Sequence, residues 1–171
     1  MKHPATYWIK KLDLIQLPEE GGLYRETYRS NMVFAQKDLP DSYTGPRVAI
    51  TDIYYLVQGK TFSAFHKIRS DEIWHYHVGN PLLVHVIDAD GTYHIETLGL
   101  DIERGEKLRV TLPRGCWFAS EMKDKAPDQY ALVSCVVAPG FELADFELGT
   151  RDALINQYPQ HKEAIRQLTR I

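Results

Sequence analysis

Between Arg47 and Pro139 the chain reads as one short β-forming run after another, each closed by turn residues. VAITDIYYLV ends at Gln58-Gly59, TFSAFHKI breaks at Arg69-Ser70-Asp71, and EIWHYHV stops at Gly79-Asn80-Pro81. LLVHVID runs into Ala89-Asp90-Gly91, and TYHIETL follows. Asp-Gly between two alternating runs is a hairpin signal, because both residues tolerate the positive φ of a tight turn. KLRVTLP, CWFASEM and YALVSCVVAP complete the series. Short strands at this spacing exclude a βαβ sheet and predict a β-sandwich or barrel.

The flanks have a different period. Residues 6–17, TYWIKKLDLIQL, set Trp8, Leu12 and Ile15 at i, i+4, i+7, which predicts a short amphipathic helix stopped by Pro18. Glu19-Glu20-Gly21-Gly22 reads as a turn and LYRETYRSNMVFA as a strand. QKDLPDSYTGP, residues 36–46, is a polar loop, either a lid or a plain connector. After the strands, Thr150 is placed to cap RDALINQY, and Pro159 to open a second helix, PQHKEAIRQLTRI. Leu154, Ile155, Ile165 and Leu168 would face the body. With no repeat or boundary, residues 1–171 read as a single domain, with a barrel over about 22–148 and C-terminal helices over about 150–170.

Composition narrows the class. At 44% hydrophobic residues the chain can bury a real core. A net charge of −3 supplies no basic field for nucleic acid or an anionic membrane. Cys116 and Cys135 cannot build a disulfide framework, and the expectation is that both stay reduced and structural. No apolar run approaches the roughly 18–20 residues of a membrane span. MKHPATYWIKKLDLIQL has no uninterrupted apolar stretch before a small-residue cleavage site, so the expectation is a cytoplasmic protein without a signal peptide.

Of 7 histidines, His66, His75, His77, His85 and His94 fall inside 29 consecutive residues. Histidine is the side chain most often recruited for metal binding and for proton transfer near neutral pH. Strand periodicity splits the cluster. Residues i and i+2 share a face, so Ala64, His66 and Ile68 lie together, as do Glu72, Trp74 and Tyr76. His75 and His77 fall on the opposite face with Ile73, unless a bulge re-aims one. His85 and His94 read as surface or cross-strand residues.

The stretch GKTFSAFHKIRSDEIWHYHVG, residues 59–79, resembles the first motif of the cupin superfamily, and GEKLRVTLPRGCWF, residues 105–118, resembles the second. GGLYRETYRS, SDEIWHYHVG and VAPGFELADFEL extend the likeness to a small family of single-domain cupins (cupin type 5), over roughly residues 6–168. The resemblance implies a mainly β fold, a double-stranded β-helix or jelly-roll barrel with short N- and C-terminal helices, and a homodimer. In metal-dependent cupins three histidines and a glutamate of these motifs ligate one metal. Here His66 and Glu72 hold their places, but Ile68 and Phe118 replace two histidines. Two protein ligands are a poor site for zinc, iron or manganese, so a resident metal is disfavoured and no cofactor is expected.

Metal-free proton transfer is the chemistry these residues leave. His66 is the candidate general base, Glu72 or Asp71 its carboxylate partner, and Tyr76 or Tyr24 the opposing acid. The resemblance adds that metal-free relatives with sugar-epimerase-like barrels pair a histidine base with a tyrosine acid. Tyr24, Glu26, Ser63, Trp74, His75, Trp117 and Phe118 are the candidate ligand-binding residues. Against these stand plainer roles: core packing for the aromatics, a solvated carboxylate for Glu72, a sheet ion pair for Arg25 and Glu26. The expected function is binding of a small molecule, carbohydrate-like or otherwise polar, with isomerase- or epimerase-like chemistry. A non-catalytic ligand-binding or storage-like cupin and a metal enzyme with an incomplete motif are the alternatives.

Overall fold

Alternation along each strand divides its side chains between two packing faces, and that division builds the molecule in layers. The computed structural model describes residues 3–170. Met1 and Lys2, of the N-terminal segment read for targeting, and Ile171, at the end of the last predicted helix, lie outside the described residues. The chain opens with helix α1 (Ala5–Lys11) and strands β1 (Ile15–Gln16), β2 (Leu23–Arg29), β3 (Val33–Phe34) and β4 (Arg47–Val48). Then come β5 (Thr51–Gln58), β6 (Phe62–Lys67), β7 (Asp71–Gly79), β8 (Leu82–Ile87) and β9 (Tyr93–Leu98). They continue with β10 (Arg109–Leu112), β11 (Trp117–Met122), β12 (Tyr130–Ala138) and β13 (Glu147–Leu148), before helices α2 (Arg151–Gln157) and α3 (Lys162–Gln167).

One sheet has the order β1-β2-β5-β12-β7-β10, the other β13-β6-β11-β8-β9, and β3 pairs with β4 apart from both. All strand pairs are antiparallel. This is the jelly-roll barrel that the strand pattern and the motifs predict. Between the sheets lies the main core, with Tyr55, Trp74 and Val133 from the first and Val84, Phe118 and Met122 from the second. The central strands are apolar on both faces because both are covered. On β12, Val133 and Cys135 point into the barrel, whereas Tyr130 and Leu132 pack outward beneath α1. On β11, Trp117 and Ala119 point outward to Leu154, Ile165 and Leu168 of the C-terminal segment.

The structure corrects the flanks. The predicted helix 6–17 ends at Lys11, because Asp13 takes a left-handed φ of 51° and breaks the turn. Trp8 and Leu12 pack as expected, but Ile15, 54% exposed, pairs with Tyr24 at a sheet edge. The run 23–35 is two strands, not one. Thr150 stands at the start of α2 without a side-chain cap bond, and Pro159 opens a 3-10 turn ahead of α3. Loop 36–46 is pinned: Tyr43 is buried, its OH donating to Arg69 O at 2.8 Å and lying 3.1 Å from Ser70 Oγ. Pro40 and Ser42 border a groove outside the barrel, and none of residues 36–46 lines the barrel cavity. His85 is buried rather than on the surface, with Nδ1 2.7 Å from Tyr93 OH across the hairpin. His94 stands half-exposed, 3.2 Å from Asp88. Among the described residues no helix is long and apolar enough to cross a membrane.

Candidate functional site

The barrel encloses a cavity of about 490 Å³, inside the range of small-molecule sites. β6 sets His66 on its wall, 3% exposed. His66 Nδ1 lies 2.8 Å from Ala64 O. A carbonyl oxygen only accepts, so Nδ1 carries the hydrogen and Nε2 of the neutral ring keeps its lone pair. The ring is held between Phe118, with centroids 4.1 Å apart, and Phe146 at 5.3 Å.

The carboxylate that Nε2 meets is Glu20, whose Oε2 lies 3.9 Å away. Glu20 Oε1 accepts from Ser63 Oγ at 2.8 Å, so Ser63 stands behind the carboxylate and not on the cavity. The turn that carries Glu20 is tightly fastened. Glu19 has a positive φ of 62°, and Gly21 and Gly22, at 104° and 78°, adopt backbone open only to glycine at so close a packing against Phe62, Arg170 and Tyr55. Arg170 donates to Glu19 O at 3.1 Å and to Glu20 O at 2.8 Å, Ala64 N–H donates to Glu20 O at 2.9 Å, and Tyr55 OH donates to Gly21 O at 2.8 Å.

Glu72 opens β7 and also lines the cavity, only 7% exposed. Trp74 Nε1 donates to its Oε1 at 2.8 Å. Burial, and after it the charge of Glu20, push Glu72 up to about 8, against the weaker opposing pull of Trp74 and Cys135. Near neutral pH it is a carboxylic acid, able to donate a proton. Cys135 reaches the same wall, but burial raises its thiol well above the ordinary range, as burial does Cys116, to about 12; neither is a thiolate.

The other sequence candidates divide. Tyr24, Glu26 and Trp74 line the cavity. Glu26 also pairs with Arg29 at 2.9 Å. Tyr76 does not reach it: four residues beyond Glu72 on an extended strand, it lies about 13 Å along β7. There it packs at the far part of the core, its phenol raised to about 12 by burial and by Glu106. His75 alternates with Trp74 and turns to the outer face, in register with Ser134 and Arg109. Trp117 likewise faces outward, under Lys67 Nζ at 4.4 Å from its ring. Phe118 is a core residue packed on His66. β7 does carry a bulge, but at His77, which is exposed beside Tyr54 and not re-aimed inward.

At the motif positions, then, the cavity offers His66 and Glu72, with Ile68 on the wall and the Phe118 ring behind it. Among the described residues no three His, Cys, Asp or Glu stand where they could hold a metal ion together. The residues do not fit the resident metal of the metal-dependent barrels.

The model of the family described as Cupin superfamily (DUF985) matches residues 6–149. A protein from Shewanella oneidensis of known crystal structure is 38% identical, with a TM-score of 0.86 and 98% of each chain covered. A hypothetical protein from Leishmania major is 37% identical, with a TM-score of 0.87, covering 99% of this chain and 100% of that one. Oxalate decarboxylase from Bacillus subtilis is 16% identical at a TM-score of 0.54; the match covers 91% of this chain but 37% of that one, and the likeness is one of fold alone. No curated protein matches.

Proposed function

The chain belongs to the DUF985 family of the cupin superfamily, and from that premise we propose a metal-independent, isomerase- or epimerase-like proton-transfer enzyme acting on a small polar metabolite. One observation carries the reading. A ring nitrogen with a free lone pair, on His66, and a carboxylic acid that keeps its proton near neutral pH, Glu72, line one cavity. Opposite protonation states in one site are the requirement for concerted acid–base work.

In this reading His66 Nε2 removes a proton from a carbon beside a carbonyl, and Glu72 gives its proton to the carbonyl oxygen. The product is an enol. The imidazolium proton then passes to carbon, on the other face of the enol once it has turned in the cavity or at the neighbouring carbon. An enol hydroxyl returns its proton to the Glu72 carboxylate, so that both side chains are regenerated. Glu20 Oε2 stabilises the imidazolium formed midway, and Ser63 and the clamped turn hold that carboxylate in place. Glu20, not Glu72 or Asp71, is thus the proposed partner of the base. Phe118, Phe146 and Ile68 keep the ring dry.

The test begins with small molecules released from freshly purified protein and identified by mass spectrometry. The proposal expects the protein to exchange one carbon-bound hydrogen of that molecule in D2O, followed by proton NMR, and His66→Ala to abolish the exchange. A bound molecule that never exchanges, or exchange that survives His66→Ala, refutes it.

A further inference from the structure

The charges around the cavity are one-sided. Glu19, Glu20 and Glu26 line it beside the protonated Glu72, against a single guanidinium among the described residues, Arg29. Arg29 is already committed: Nε and Nη2 donate to Glu26 at 3.2 and 2.9 Å, and Nη1 donates to Glu142 Oε1 at 2.9 Å. Among the described residues an anionic ligand would find no uncommitted lysine or arginine on this wall, and it would face Glu19 and Glu20. Inside, His66 is only 3% exposed, yet among the described residues the polar group its Nε2 meets is Glu20, beyond hydrogen-bond reach at 3.9 Å. The rest of the wall is largely apolar and includes five aromatic rings, Tyr24, Tyr55, Trp74, Phe141 and Phe146. Aromatic faces attract cations, and a carboxylate beside them in a water-poor cavity adds to that attraction.

Resting on the reading of this cavity as the ligand site, we propose that its ligand is an organic cation, an amine or quaternary ammonium compound, with the charge seated between Glu20 and the aromatic wall. The cation completes the ion pairing that the chain leaves open at Glu20. The ammonium group would draw electron density from the neighbouring carbon and ease loss of its proton to His66.

Isothermal titration with three matched probes tests the charge: choline, its uncharged carbon isostere 3,3-dimethylbutan-1-ol, and 3,3-dimethylbutanoate. The proposal expects choline to bind about tenfold or more tighter than the isostere, with no binding of the carboxylate. In Glu20→Gln, checked for folding by circular dichroism, choline affinity should fall to that of the isostere. Equal binding of choline and isostere, preference for the carboxylate, a choline preference that survives Glu20→Gln, or no heat from any probe overturns it. The molecule released from purified protein separates the two readings: a neutral or anionic compound that exchanges its hydrogen through His66 removes the cation and keeps the enzyme.

Discussion

Glu72→Gln is the perturbation whose magnitude the structure sets most directly. In the unfolded chain the carboxyl titrates near 4.5; in the barrel burial and Glu20 move it to about 8. Between those values the folded protein holds a proton that the unfolded chain has lost. Stability contributed by Glu72 is therefore fully present below about pH 4.5 and lost as pH rises through about 8. At about 1.4 kcal/mol per pH unit, the window amounts to about 5 kcal/mol, a large share of a domain's total stability. Glutamine mimics the protonated acid, and its amide oxygen can still accept from Trp74 Nε1, so the variant should match the parent near pH 5. Urea unfolding of both proteins at steps from pH 5 to 9 reads the difference, in which all other titrating groups cancel. The parent should lose about 4 kcal/mol relative to Glu72→Gln across that range, the part of the window above pH 5. A difference that stays within about 1 kcal/mol throughout refutes the protonated, desolvated Glu72 on which the acid role depends.

Arg47→Ala should cost about 3–5 kcal/mol in urea unfolding. It strands the buried Asp145 carboxylate, which Arg47 now grips with two bonds of 2.6 and 2.7 Å. Tyr43→Phe should cost about 1–2 kcal/mol and speed proteolysis within residues 36–46, because it removes the bond that pins the loop to Arg69 O; unchanged cleavage would show the loop anchored elsewhere. Arg170→Ala, an exposed change, should alter stability by about 1 kcal/mol or less yet weaken the hydrogen exchange at His66, since the turn bearing Glu20 loses its clamp. Ile68→His with Phe118→His should create one-to-one zinc binding by titration calorimetry, with His66 and Glu72 as the other ligands. A folded double variant that binds no metal would show that the wall departs from the metal-dependent barrels in more than these two side chains.

The barrel was legible because its information is local. Alternation and turn residues mark β5 through β12 one by one, and the same period correctly sends His75 away from His66. The helix limit at Lys11 was not legible, since Trp8, Leu12 and Ile15 keep helical spacing while the backbone of Asp13 breaks it. Tyr76 was misplaced for a different reason. Shared face is a property of period, but shared site also depends on distance along the strand, and four extended residues carry it out of reach.

Glu20 shows where pattern reading ends. It sits in a turn, 43 residues from the Ser63 that holds it, and it belongs to neither barrel motif. Its signal was nonetheless in the sequence: a Glu-Glu-Gly-Gly turn whose glycines take positive φ, and where Tyr55, Phe62 and Arg170 leave no room for a side chain. With Glu20 in place, the proposed proton transfer gives Ile68 and Phe118 at the two motif positions a common explanation. A metal at His66 Nε2 would occupy the lone pair that a general base needs, and Ile68 and Phe118 remove the partners such a metal would require. The Ala64 carbonyl fixes which nitrogen is free, Glu20 offers it a counter-charge, and the same Glu20 helps burial keep Glu72 protonated. In the proposed reaction one carboxylate thus supports both the base and the acid. On the proposed reading, Ile68 and Phe118 at the motif positions and Glu20 beside His66 serve one chemistry, the movement of a proton rather than the coordination of a metal.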